Sequence, residues 1–227
     1  MVRRLTDQEY ENLSEAELDA HLARFAAKAS QQQREGGMPR SVAVVMLVCS
    51  LIGWGASLEL VMSEKIRLTD PAAQLSCDIS PFVSCGKWIG AWQNELLFGI
   101  SNSVVGLAFF SGMTALALVL VSGGRMGRRL WQALALALTL GMVWVLWFQY
   151  ESFIVQRSLC PYCYLVWLVT IALFALVWAR SLQAGHWGER GARYGEALVR
   201  NRFLIVGICY AVLVMFTLVW LWEMWVF

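Results

Sequence analysis

A chain of 227 residues with 59% hydrophobic side chains, 15% charged ones and 12 tryptophans is too apolar and too aromatic for a soluble domain of this length, and it reads as a membrane protein. A formal net charge of +2 without a concentrated basic face excludes nucleic-acid binding. Six cysteines decide nothing by their number, so their placement carries the argument.

The first 40 residues are polar and charged. Within them, 5–29 (LTDQEYENLSEAELDAHLARFAAKA) sets apolar residues at helical spacing between acidic ones, which predicts a surface helix or a partly disordered stretch with no chemistry of its own. A hydrocarbon core about 30 Å thick takes roughly 20 apolar residues of helix. Five segments meet that requirement: 41–62, 99–121, 130–150, 160–180 and 203–226. The first is a retained anchor, since it follows a long polar segment and no small-residue cleavage pattern comes after it. The expected fold class is an all-α membrane protein with a loop over 63–98, a basic loop over 181–202 and a closing helix over 203–227.

Lys and Arg are unevenly shared between the two sides of these spans. Six precede the first span, three lie in 122–130 and five between the fourth span and the fifth, against only Lys65, Arg67, Lys87 and Arg157 on the other side. This split of 14 to 4 predicts a cytoplasmic N-terminus and an extracytoplasmic C-terminus. Cys77 and Cys85, in the loop 63–98, then share the outer side with Cys160 and Cys163, where disulfides persist.

The fourth span opens with LCPYC. A disulfide between cysteines three apart closes a tiny ring and is a poor staple, so such a pair is worth more as a reactive couple. Pro161 suits the first turn of a helix, which puts Cys160 near its cap, where the positive helix end lowers a thiol pKa. Cys160 is expected nearer the water and Cys163 one turn deeper, a position from which electrons pass between a soluble thiol partner and a lipid-soluble carrier. Structural disulfides stapling the outer loops are the plainer reading of the same four residues. Zinc is unsupported, since Cys77 and Cys85 stand eight apart and the compartment favours oxidation. Haem attachment is excluded by Tyr164 directly after Cys163. Cys49 and Cys209 lie mid-span and read as packing thiols. A transporter wants ionisable residues deep in its spans, and Glu59, Glu151 and Glu223 fall only near span ends.

Over roughly 41–180, the sequence resembles the bacterial vitamin K epoxide reductase family, through the loop pair in CDISPFVSC, the stretch FGISNSVVG before the second span, and the Cys-x-x-Cys opening the fourth. The resemblance implies a four-helix transmembrane bundle around a quinone, menaquinone or ubiquinone, with the fifth helix appended, in the bacterial cytoplasmic (inner) membrane. It implies that Cys160 and Cys163 are the active-site pair and Cys77 and Cys85 the shuttle pair. By the same resemblance Asn102 hydrogen-bonds a quinone carbonyl, although a helix cap is the plainer role for that residue. Asp78 either tunes Cys77 or caps a turn. Trp88, Trp92 and Phe109 are expected as an aromatic lid and wall, with interfacial anchoring as the other reading, and Trp167 stands where some relatives have a tyrosine. Gly90 and Ala91 replace the Ser or Thr common in the family after the second loop cysteine. Many bacterial relatives carry a fused thioredoxin-like domain; none follows the last span here, so a separate thioredoxin-like (DsbA-like) extracytoplasmic protein is the expected partner. The implied activity is quinone-dependent thiol oxidation that drives disulfide formation in exported proteins, or, run the other way, reduction of a quinone or quinone epoxide.

Overall fold

The computed structural model describes residues 29–96 and 98–226, with Ser14 and Glu17 ahead of them. The helix expected over 5–29 otherwise lies outside the described residues. A short helix, α1 (Gln31–Arg34), leads into five helices long and apolar enough to cross a membrane: α2 (Arg40–Thr69), α3 (Asn102–Val121), α4 (Arg128–Tyr150), α5 (Pro161–Gln183) and α6 (Glu189–Val226). A π turn, Glu151–Val155, prolongs α4. No strand forms among the described residues, which hold only the isolated bridges Ser80–Val83 and Val83–Leu159.

The number of spans agrees with the apolar pattern, and their ends do not. Helix α2 continues to Thr69 because Glu64, Lys65, Arg67 and Leu68 are good helix formers that simply lie past the apolar window. The basic loop expected over 181–202 is mostly the opening turns of α6. There Gly195 comes so close to the end of α5 that a Cβ on it would lie 2.1 Å from the Gln183 nitrogen, and Val199 is buried on the same face. A hydropathy window ends where charges begin, whereas the helix carries its charges outward on other faces and goes on.

Helices α2 and α3 meet through small residues. A Cβ on Gly53 would lie 2.4 Å from the Phe110 ring, and one on Gly106 would lie 2.9 Å from the Ser57 hydroxyl. In lipid no hydrophobic force draws helices together, so this close approach supplies the packing that does. Helix α5 is the hub, resting on α2, α4 and α6. Helix α6 is fastened to its neighbours by Tyr210 Oη, which donates to the Leu168 carbonyl (2.8 Å), and by Trp220 Nε1, which donates to Phe153 O (2.8 Å). Helices α3 and α4 barely meet, and the gap between them is where the site lies.

Candidate active site at the loop-capped end of the bundle

The loop between α2 and α3 folds back over the start of α5 through two backbone hydrogen bonds. Ser84 N–H donates to Leu159 O (3.0 Å), and Leu159 N–H donates to Phe82 O (2.8 Å). This register sets the next residue of each segment side by side, and those residues are Cys85 and Cys160. Cys85 is closed in a disulfide with Cys77 (Cα–Cα 5.7 Å), and the Cys160 thiol points at Cys85 Sγ from 3.3 Å. Cys160 caps α5: its sulfur accepts from the Cys163 N–H at 3.4 Å, and Pro161 begins the helix. The Cys160 thiol is held below the ordinary thiol range, first by the Cys163 side chain donating to it and then by the Cys163 and Tyr162 N–H groups at the helix start. These outweigh burial and the nearby Asp78 charge.

Exposure overturns one expectation. Cys160 is 1% exposed and Cys163 is half-buried, so the supposedly wetter cysteine is the more enclosed. Position on α5 alone suggested the reverse, but the folded-back loop covers the cap. Cys77 (3%) and Cys85 (1%) are shut in with it, together with Leu75, Phe148, Phe153 and Leu159.

Asp78 clasps the loop in this position. Its Oδ1 accepts from the Ser84 hydroxyl (2.6 Å) and the Gly86 N–H (2.9 Å), and its Oδ2 pairs with Arg67 Nη2 at 3.2 Å. Arg67 in turn donates through Nη1 to Pro71 O (2.9 Å) and Ala73 O (3.0 Å), which ties the loop to the last turn of α2. Burial opposes the Asp78 charge, but the bonds from Ser84 and Gly86 and the Arg67 charge win and hold the carboxyl below the usual carboxylate range. A Cβ on Gly86 would lie 2.2 Å from Arg67 Nη2, so a side chain there would displace Arg67 from the clasp.

Beneath the loop, a cavity of about 540 Å³ opens in the gap between α3 and α4. Its walls are nearly all apolar, with Phe109, Leu140, Trp144 and Phe148 among them, and both Cys85 and Cys163 reach it. Two residues of its lining carry buried polar atoms without a hydrogen-bond partner among the described residues: the donor Trp88 Nε1 and the acceptor Asn102 Oδ1. Asn102 Nδ2 is occupied, donating to Gln93 O at 2.9 Å. A flat apolar ring with two carbonyl groups fits this set: the free indole N–H suits a ring carbonyl, and the free amide oxygen suits the hydroxyl left when that carbonyl is reduced.

Of the residues expected at a quinone, Trp88, Asn102, Phe109 and Cys163 line this cavity, and Trp92 and Trp167 do not. Cys163, Val166 and Thr170 form the cavity face of α5 at helical spacing, so Trp167 turns to the next face and is buried against Phe153 and Tyr164. Trp92 is 63% exposed and stands beside Trp147, as an interfacial anchor does. Gly90 and Ala91 are likewise absent from the lining. Cys49 is half-buried in α2, but Cys209 is on the outward face of α6 and packs no core. The sequence reading missed Glu64, whose carboxylate accepts from the Ser103 hydroxyl (2.7 Å) on the cavity wall. Glu64 stands seven residues after Ser57, on the same face of α2, and that spacing was the available signal. Glu151, expected only as a charge near a span end, is buried in the π turn with Gln93 Nε2 donating to it at 3.2 Å.

The model of the vitamin K epoxide reductase family matches residues 44–178, more than half of the chain and all of the segment that builds the cavity and carries the four cysteines. The chain therefore belongs to the vitamin K epoxide reductase family, membrane oxidoreductases with quinone-linked activity on thiols.

Proposed function

We propose that the chain is a quinone-dependent thiol oxidase of the bacterial cytoplasmic membrane, which reoxidises a separate thioredoxin-like (DsbA-like) extracytoplasmic protein and so drives disulfide formation in exported proteins. The observation that carries this reading is the line of sulfurs: a closed Cys77–Cys85 disulfide, the Cys160 thiol 3.3 Å from Cys85, and Cys163 one turn on at the cavity wall. The charge split of 14 to 4 supports a cytoplasmic N-terminus and a catalytic end facing outward.

In the proposed cycle the loop swings out and a partner thiolate attacks Cys77, releasing Cys85 as a thiolate. The second partner thiol resolves the mixed disulfide, and the partner leaves oxidised. Cys85 then attacks Cys160 of a Cys160–Cys163 disulfide, and Cys163 departs as a thiolate. Cys77 attacks Cys85, closing the shuttle disulfide and freeing Cys160. The arrangement with Cys77–Cys85 closed and Cys160 and Cys163 as thiols is the one this step produces. A quinone bound in the cavity supplies the two-electron, two-proton acceptor. Trp88 and Asn102 would hold its ring, and Cys160 and Cys163 give up two electrons and two protons as they close their disulfide. The sum is one partner dithiol oxidised for each quinone reduced. The Cys163 and Tyr162 N–H groups at the start of α5 favour Cys160 as a leaving group when Cys77 closes on Cys85.

The test is quinone reduction by purified protein with a reduced thioredoxin-fold dithiol protein and ubiquinone or menaquinone analogues, followed by quinone absorbance. Reduction that depends on each of Cys77, Cys85, Cys160 and Cys163 is expected. Turnover surviving in Cys163→Ala, or none with either quinone, overturns the proposal.

A further inference from the structure

At the end of the bundle opposite the cysteines, Arg180 is only 4% exposed and has no acidic partner among the described residues. The ion pairs among the described residues are Arg67–Asp78 and Arg125–Glu35. Its Nη1 donates to Gln183 Oε1, but Nε and Nη2 are buried with no hydrogen-bond partner among the described residues. A second cation lies on the adjoining stripe of α6. Gly195, Val199 and Arg202 repeat at i, i+4 and i+7 on the side of α6 that lies against α5, and Arg202 is half-buried there, its guanidinium 4.9 Å from the Phe203 ring. Beside them, Arg128 Nε (2.8 Å) and Gln132 Nε2 (2.9 Å) both donate to the His186 carbonyl. Burial, then the Arg128 and Arg180 charges, push the His186 ring below its ordinary pKa, as expected where positive charge has no counter-ion.

A buried guanidinium with idle donors is strongly unfavourable, and a second one on the neighbouring helix adds repulsion. One anion between them relieves both. Guanidinium groups bind phosphate oxygens through paired N–H bonds, which matches the two idle donors of Arg180. Depth agrees as well. The helix from Pro161 to Arg180 spans about 29 Å, the thickness of the hydrocarbon core, so Arg180 reaches the far headgroup level when Cys160 sits at the near one.

We infer that Arg180 and Arg202 form a binding site for an anionic phosphate group at the joint of α5 and α6. Both residues lie outside the matched segment 44–178 and at the end of the bundle away from the cysteines, so the site is separate from the redox centre.

The experiment measures the thermal unfolding midpoint of the full chain in detergent at constant ionic strength, with phosphatidylglycerol, zwitterionic phosphatidylcholine or inorganic phosphate added. A rise with phosphatidylglycerol alone identifies a lipid headgroup as the ligand, and an equal rise with inorganic phosphate identifies a soluble anion; either supports the site. The apparent affinity should fall about tenfold in Arg202→Gln, the loss of one charged hydrogen-bonding partner. Arg180→Gln should lose the response and, in the absence of anion, unfold no earlier than the parent, because it discards an uncompensated buried charge. If Arg180→Gln does not fold, Arg202→Gln decides alone. Equal stabilisation by the two lipids, or an anion response unchanged in Arg202→Gln, overturns the inference.

Discussion

Asp78 is the residue whose replacement reads the loop clasp most directly, because its two oxygens do different work. Oδ1 serves Ser84 and Gly86, and Oδ2 serves Arg67. Asp78→Asn keeps one oxygen for the first pair and loses the ion pair. The Arg67 and Asp78 side chains are 27% and 18% exposed, so solvent screens that pair and its loss costs about 1 kcal/mol. Asp78→Ala loses all three contacts, for about 3 kcal/mol. At 1.4 kcal/mol per decade, the open population of the loop rises roughly fivefold in the first variant and on the order of a hundredfold in the second. The Cys77–Cys85 disulfide is shut in and reports on opening. Its reduction by a water-soluble phosphine, in a Cys160→Ala background where internal exchange is absent, should quicken by those factors as long as the loop recloses faster than it is reduced. Reduction at the parent rate in both variants, or at the same rate in Asn and Ala, would refute the clasp.

Further expectations follow from the same geometry. The Asp78 carboxyl is depressed when the loop is docked, so its stabilisation is present above the ordinary carboxylate pKa of about 4 and is lost as pH falls through the lower docked value. Phosphine reduction of the disulfide should therefore show no Asp78-dependent rise until the solution is more acid than about pH 4, and that rise should be missing from Asp78→Asn. Cys77→Ala leaves Cys85 without its resolving thiol and should accumulate a Cys85–Cys160 disulfide, read by peptide mass spectrometry under non-reducing conditions; a dominant Cys85–Cys163 link would reverse the roles of the active-site pair. Trp88→Phe keeps an aromatic ring at the cavity wall and removes its idle donor, so the KM for quinone should rise about fivefold in a protein that still folds, and an unaltered KM would take Trp88 out of the quinone site.

The five spans were legible because a run of about 20 apolar residues has one physical solution in lipid. The four cysteines stood out for a similar reason, since Pro161 between two thiols at a helix start has few structural uses. What could not be read depends on contacts between distant parts of the chain. The hydrogen bonds between Phe82, Ser84 and Leu159 join segments some 75 residues apart, and they set the Cys85–Cys160 contact and bury Cys160. Trp88 and Trp167 look equally fit for a ring contact in sequence, and only the rotation of α5 about its axis turns Trp167 away. Glu64 was hidden because α2 outlasts its apolar stretch. Arg180 looked like one more charge in a basic loop until α6 folded over it.

The proposed transfer of electrons from Cys160 and Cys163 to a quinone is tested most directly in a single turnover without any partner. Protein with Cys77–Cys85 closed and Cys160 and Cys163 reduced is mixed anaerobically with one equivalent of quinone, and quinol, free thiols and linked peptides are measured together. The expected result is close to one quinol per chain, the loss of two thiols, and a new Cys160–Cys163 disulfide with Cys77–Cys85 untouched. Quinol formed while Cys160 and Cys163 stay reduced, or no quinol at all, would contradict it.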